Sequence, residues 1–142
     1  LHCILTYPTN YVDANLQMMV WLQEVYSDLP VGYSDHTLAD PSMTVPISAA
    51  AMGARVIEKH FTLDKSLPGP AHRMSLDPAE LKYTINAIRD VENAMGSAHK
   101  EVLESETENR NKLRKSIVAE TDIISGAILK KEILIKFLVK TS

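Results

Sequence analysis

Two histidines stand out as residues that could do chemistry. His60 closes the apolar stretch Val56-Ile57-Glu58-Lys59-His60, and His36 closes Val31-Gly32-Tyr33-Ser34-Asp35-His36. Each stretch reads as a short buried strand that ends in an imidazole and opens into a loop. A helical, alanine-rich segment lies between them, so the strands are consecutive and parallel. Neighbouring strands run about 4.8 Å apart, which brings their C-terminal ends together. Two imidazoles placed there can reach one divalent cation through bonds of about 2.0–2.1 Å. Two protein ligands suit an open catalytic ion, with other positions left to water and substrate. A single histidine at a strand end is more often structural; the pair at equivalent places favours a functional role.

Strand parity extends the site. If His60 faces inward, so do Glu58 and Val56; if His36 faces inward, so do Ser34 and Gly32. That predicts a hydroxyl beside the cation and a carboxylate one layer below. Asp35 and Glu58 are assigned as supporting groups, orienting His36 or neutralising lysines from strands outside this chain; Asp35 equally suits a turn residue bonding its own loop.

The elements that would position these groups follow in order. Leu1 to Leu5 is a short apolar run, broken by Pro8. Asp13 predicts the cap of a helix carrying Leu16, Met19, Val20, Leu22, Val25 and Tyr26 on one stripe. Val31 to Ser34 is a second strand. Asp40-Pro41 predicts the start of a second helix whose body is Ile47 to Met52, ended by Gly53. Arg55 to His60 is a third strand. Asp77-Pro78-Ala79-Glu80 is a strong helix start, with Leu81, Ile85, Ile88, Val91, Glu92 and Met95 as the inner face and Gly96 as the stop. Strands alternating with helices every 25 to 30 residues or so are the mark of parallel βα units. Residues 98–112 are polar and charged and read as a linker. Lys115 to Ala119 and the run from Ile123 to Leu129 then suggest a small, mostly β, second domain. Both ends, Leu1 to Leu5 and Ile133 to Val139, read as strands in progress, so the polypeptide is expected to be an excised piece of a longer one.

Composition sets the limits. The chain has 142 residues, 45% hydrophobic and 23% charged, with a net charge of −3, so no basic excess points to nucleic acid. The one cysteine, Cys3, excludes an internal disulfide framework and fits a reducing, cytoplasmic compartment. No apolar run approaches the ~20 residues needed to span a bilayer.

The motifs Tyr33-Ser34-Asp35-His36-Thr37-Leu38, Glu58-Lys59-His60-Phe61-Thr62-Leu63-Asp64-Lys65 and Pro68-Gly69-Pro70 closely resemble the N-acetylneuraminate (sialic acid) synthase family. His2-Cys3, Tyr7-Pro8-Thr9 and Lys115-Ser116-Ile117-Val118-Ala119 fit as well. The resemblance implies an α/β fold in which residues 1–97 are the last three βα units of a TIM (β/α)8 barrel. Residues 98–112 are then the linker, and 113–142 the beginning of a small antifreeze-like (SAF) domain. It implies a domain-swapped homodimer that condenses phosphoenolpyruvate with N-acetylmannosamine or a related N-acetylated amino sugar. The cofactor implied is a divalent metal, Mn2+ foremost, with Mg2+ or Co2+ as alternatives. His36 and His60 match the metal ligands, Ser34 a serine that holds phosphate, and Tyr7 a tyrosine near the sugar.

Three departures accompany the match. The family usually has Asp after Pro-Gly-Pro, where this chain has Ala71 and then His72, so either the sugar contact is lost or His72 supplies a substitute. Ile4-Leu5-Thr6 replaces a more polar run. Ile135-Lys136-Phe137-Leu138-Val139 lacks the arginine and proline of the family's small domain. The catalytic glutamate and phosphate-binding lysine of the family lie on units outside these residues, so the chain alone is expected to be inactive. The alternative is a non-catalytic carbohydrate-binding or dimerisation module. Another metal-dependent barrel lyase or aldolase fits the strand ends but predicts neither linker nor second domain.

Overall fold

The computed structural model describes residues 1–138 and divides the chain into two compact units, Leu1–Gly96 and Ser97–Ser142. In the first unit, strands β1 (His2–Cys3), β2 (Tyr33–Asp35) and β3 (Ile57–Lys59) form a parallel sheet in that order. The register sets His2 against Tyr33, Ser34 against Glu58 and Asp35 against Lys59. These are the expected parallel βα units, with shorter strands than the apolar runs suggest.

Parity sorts the side chains by face. Tyr33 and Val31 join Ala14, Met19, Val45 and Ala49 in the core between sheet and helices, with Ile57 packed against them. His2 lies on the same side, its ring 5.5 Å from Tyr33, and its Nε2 donates to the Ala14 carbonyl at 2.9 Å. Ser34 and Glu58 bond each other on the opposite face. Gly32 is required on that face: a Cβ there would sit 2.5 Å from Leu1 Cδ2 and 2.6 Å from the Val56 carbonyl oxygen.

The helices depart from expectation where backbone turns intervene. The single helix expected from Asp13 to Tyr26 is two helices, α1 (Tyr11–Ala14) and α2 (Gln17–Val25). Asn15 separates them in the left-handed conformation (φ 42°), which asparagine tolerates better than most residues. Asp13 therefore lies inside α1 rather than capping it. Only Met19 of the expected stripe is fully buried; Val25 and Tyr26 are exposed.

Helix α3 (Thr44–Ala51) begins three residues beyond Pro41. The Asp40 carboxylate accepts from the amides of Ser42 and Thr44, which winds residues 40–43 into a turn instead of a helix. The proline in the first helical turn is thus Pro46.

Helix α4 (Pro78–Met95) carries the full capping box between Asp77 and Glu80. Its buried side is centred on Thr84, with Ile88 and Val91 half-buried, whereas Leu81, Ile85 and Met95 are exposed. Leu81 and Ile85 of the expected inner face line an open apolar cavity with Phe61 and Pro78, and Ile85 and Ile88 line another with Ile57.

In the second unit, helix α5 (Thr107–Leu113) occupies part of the expected linker. Strand β4 (Lys115–Ala119) pairs antiparallel with β5 (Leu134–Leu138). The run from Ile123 to Leu129 forms no strand; the partner strand comes from the later apolar run instead. Val139, the last residue of that run, lies outside the described residues.

Gly32→Ala should destabilise the first unit by about 1–3 kcal/mol, because the Val56 carbonyl is backbone and cannot rotate away. Denaturant unfolding of the variant against the parent measures this; an unchanged midpoint would contradict the close approach.

Candidate active site

The C-terminal ends of the three strands gather the polar residues. His36 follows β2 directly and His60 follows β3. Their ring centroids are 5.3 Å apart, inclined at 46°. Tyr7 stands over both, its ring 4.2 Å from His36 and 5.9 Å from His60. Three of the expected site residues therefore meet in one place.

The protonation of His36 follows from its partner. Its Nδ1 lies 2.8 Å from the Ile4 carbonyl oxygen, which can only accept. Nδ1 must carry the proton, so the neutral ring presents a free lone pair at Nε2. Cys3 Sγ lies 3.9 Å from the same nitrogen. His36 is buried, and its own carbonyl accepts from the Thr9 amide at 2.9 Å. The loop after β1 is thereby stitched to the end of β2, and Thr9 Oγ1 closes the loop on the Thr6 carbonyl.

Below the rings, Ser34 Oγ donates to Glu58 Oε1 at 2.6 Å. Ser34 and Glu58 thus share one face, one layer beneath His36 and His60. Asp35 does not orient His36. Its carboxylate points to the helix side and accepts from the Thr37 amide and from Lys59 Nζ. Alternation along the strand makes this unavoidable: neighbours in a strand face opposite ways. The Ile4 carbonyl does the orienting, and a backbone group leaves no mark in a side-chain pattern.

His72 sits in the loop after β3, at the start of a 3-10 turn (His72–Met74). Its Nδ1 and Thr62 Oγ1 are 2.8 Å apart, and Thr62 also bonds the backbone of Asp64. The structure therefore joins His72 to Thr62, not to the histidine pair. Asp64 lies below the ordinary carboxylate range, chiefly through hydrogen bonds from the Ser66 side chain and amide, aided by His72.

A second tie at the mouth of the sheet has no signal in the residue spacing. Tyr11 Oη donates to Asp40 Oδ2 at 2.6 Å, joining the loops after β1 and β2. Burial pushes the Tyr11 phenol up, and the Asp40 carboxylate holds the proton on it further, to about 12. Burial alone would raise Asp40. Hydrogen bonds from Tyr11, Thr44 and Ser42 outweigh that and lower it.

The fit to a metal can be judged from the donor set. Among the described residues, no three His, Cys, Asp or Glu side chains gather as a cation site. The donors that stand together are the His36 and His60 rings, centroids 5.3 Å apart, and a carbonyl at Nδ1, as His36 has, is the kind of partner that metal-binding histidines keep.

Polar side chains collected at the C-terminal ends of parallel strands, with loops tied over them, define an α/β protein of the kind whose active sites form at strand ends. The chain belongs to the NeuB family, whose model matches residues 1–100. It is 49% identical over 135 residues to the N,N'-diacetyllegionaminic acid synthase of Legionella pneumophila, covering 95% of this chain and 37% of that protein. Against the human N-acetylneuraminate-9-phosphate synthase it is 39% identical, covering 94% and 36%. Against a pseudaminic acid synthase of Campylobacter jejuni it is 40% identical, covering 93% and 37%. The chain thus spans little more than a third of these relatives' length. Among solved structures, the N-acetylneuraminic acid synthetase of Leptospira borgpetersenii, in complex with citrate, superimposes with a TM-score of 0.67 at 36% identity. That match covers 79% of this chain and 39% of that one. The spore coat polysaccharide biosynthesis protein spsE of Bacillus subtilis gives 0.61 at 30%, covering 95% and 41%. No helix among the described residues is long and apolar enough to cross a membrane.

The Tyr11 phenol should titrate at about 12, and Asp40→Asn should bring it back toward 10. Ultraviolet titration of phenolate absorbance, compared between the two proteins, reads this. Asp40 carries the complementary sign. Its folded pKa is lower than its unfolded one, so its contribution to stability is complete above the unfolded value and disappears as pH falls through the folded value.

Proposed function

We propose that the protein containing this chain condenses phosphoenolpyruvate with an N-acetylated amino sugar, releasing phosphate and a nonulosonic acid. One observation carries the reading. Two imidazoles meet at adjoining strand ends, with Nε2 of His36 left free, in a chain 39–49% identical to three synthases of such acids.

In this reading His36 and His60 hold a divalent cation, Mn2+ first, with Mg2+ or Co2+ as alternatives. When bound, it supplies Lewis-acid polarisation of the open-chain sugar aldehyde. The methylene carbon of phosphoenolpyruvate bonds to the aldehyde carbon, the carbonyl π pair becoming an alkoxide and the phosphate-bearing carbon an oxocarbenium. Water adds to that carbon, its released proton balancing the alkoxide's conversion to a hydroxyl, and the carbon–oxygen bond to phosphate then breaks as the remaining hydroxyl becomes the ketone and its proton leaves with phosphate. Tyr7 walls the site beside both rings and contacts the sugar. Ser34 turns its hydroxyl from Glu58 to the phosphate, leaving Glu58 as a carboxylate facing the interior. His72, steadied by Thr62, contacts the sugar in place of the aspartate that Ala71 replaces.

The first unit is, in this proposal, the last three βα units of a TIM barrel. The second is the beginning of an SAF domain exchanged within a cytoplasmic homodimer. A second reading is supported by the small donor set: by itself, the chain brings two cation ligands together and serves as a carbohydrate-binding or dimerising module.

The test uses the intact protein with phosphoenolpyruvate and a panel of N-acetylated sugars, measuring phosphate release. One sugar should be turned over, and His60→Ala should lower the rate at least a hundredfold, about 2.7 kcal/mol of transition-state stabilisation. Calorimetric titration with Mn2+ should show binding that His36→Ala removes. Phosphate release by His60→Ala at the parent rate would sink the metal assignment; no turnover of any sugar would favour the module.

A further inference from the structure

Asp35 and Lys59 form a buried ion pair directly behind the two histidines. Lys59 Nζ lies 2.7 Å from Asp35 Oδ2, and the side chains are 4% and 0% exposed. The two residues are register partners across β2 and β3. Each immediately precedes a histidine. Lys59 Nζ also donates to the Thr37 carbonyl at 2.7 Å, and Asp35 accepts from the Thr37 amide at 2.9 Å and from its hydroxyl at 3.2 Å. Lys59 therefore grips the residues on both sides of His36 while being covalently next to His60.

We infer that the Asp35–Lys59 pair is a positioning clip that fixes the separation of the His36 and His60 rings from behind. A buried ion pair adds little net stability compared with an apolar pair of the same volume, because both charges lose water. What it adds is directional constraint, since one ammonium must satisfy two acceptors whose positions are set by the backbone around His36. The sheet alone holds less: β3 ends at Lys59 and β2 at Asp35, so both histidines lie just past the ladder. The clip acts where the strand pairing stops. Its link to metal binding rests on the proposed function; the positioning itself does not.

The experiment is the double substitution Asp35→Asn with Lys59→Met in the intact protein, which removes both charges with little change in volume. Imidazole resonances of His36 and His60, assigned by His→Ala variants, are the deciding readout, with the unfolding midpoint recorded alongside. The clip predicts a cooperative fold, exchange-broadened imidazole resonances, and an Mn2+ dissociation constant raised about tenfold. Sharp resonances at the parent positions would overturn it, whatever the stability. If the parent binds no Mn2+ yet the resonances broaden in the variant, the metal reading fails and the clip stands. Should the double variant not fold, Lys59→Gln, which keeps a donor toward Asp35, is judged by the same resonances: broadening supports the clip and sharp parental signals overturn it.

Discussion

The in-register pairing of Tyr33-Ser34-Asp35 with Ile57-Glu58-Lys59 is the constraint on which the mouth of the sheet depends. With side chains alternating, one register fixes both faces at once. It puts Ser34 against Glu58 on the face of the histidines, and Asp35 against Lys59 on the face of the helices. A slip of β3 by one residue would turn Lys59 toward the site and His60 toward the apolar core, breaking both pairs. The charges beneath the helices and the hydroxyl–carboxylate pair in the site are therefore two results of one alignment.

The two faces solve different electrostatic problems. On the helix side, Asp35 and Lys59 are excluded from water and have each other and Thr37 as partners. On the opposite side, Glu58 is exposed and holds Ser34 through a single short hydrogen bond. The buried carboxylate next to Tyr33 also acts on that phenol, which burial first and Asp35 second push upward. The buried pair cannot be broken without leaving a charge unpaired.

How much of this was legible in the sequence follows from how local each signal is. The βα alternation, the strand-end histidines and the Asp77–Glu80 capping box depend on residues a few positions apart, and they are visible in the chain. The break at Asn15 depends on one backbone conformation, and the late start of α3 on the Asp40 carboxylate capturing amides two and four residues ahead. Both override an apolar period that reads as continuous helix. The burial of Thr84, a polar residue outside the apolar stripe of α4, depends on how α4 meets its neighbours. The same limit applies at the site: parity correctly puts Ser34 with Glu58, but the group that orients His36 is the carbonyl of Ile4, and no side-chain pattern encodes a carbonyl.

The loops over the strand ends differ in how they are held, and that bears on the chemistry available there. The loop after β1 and the loop after β2 are cross-tied, by Thr9 to His36 and by Tyr11 to Asp40. His36 is consequently placed by contacts from two directions, its ring by Ile4 and its backbone by Thr9. The loop after β3 is tied mainly to itself and to the start of α4, through Thr62 with His72, Leu76 with His60 and Thr62, and Lys65 with Glu80. Its anchor to the strand end is the backbone of His60, which accepts from the Leu76 amide at 2.8 Å. The backbones of His36 and His60 are both tied in this way, to Thr9 and to Leu76. Ala71 and His72 ride on the self-contained loop, so residues there can change while the histidine pair and its supports stay where they are.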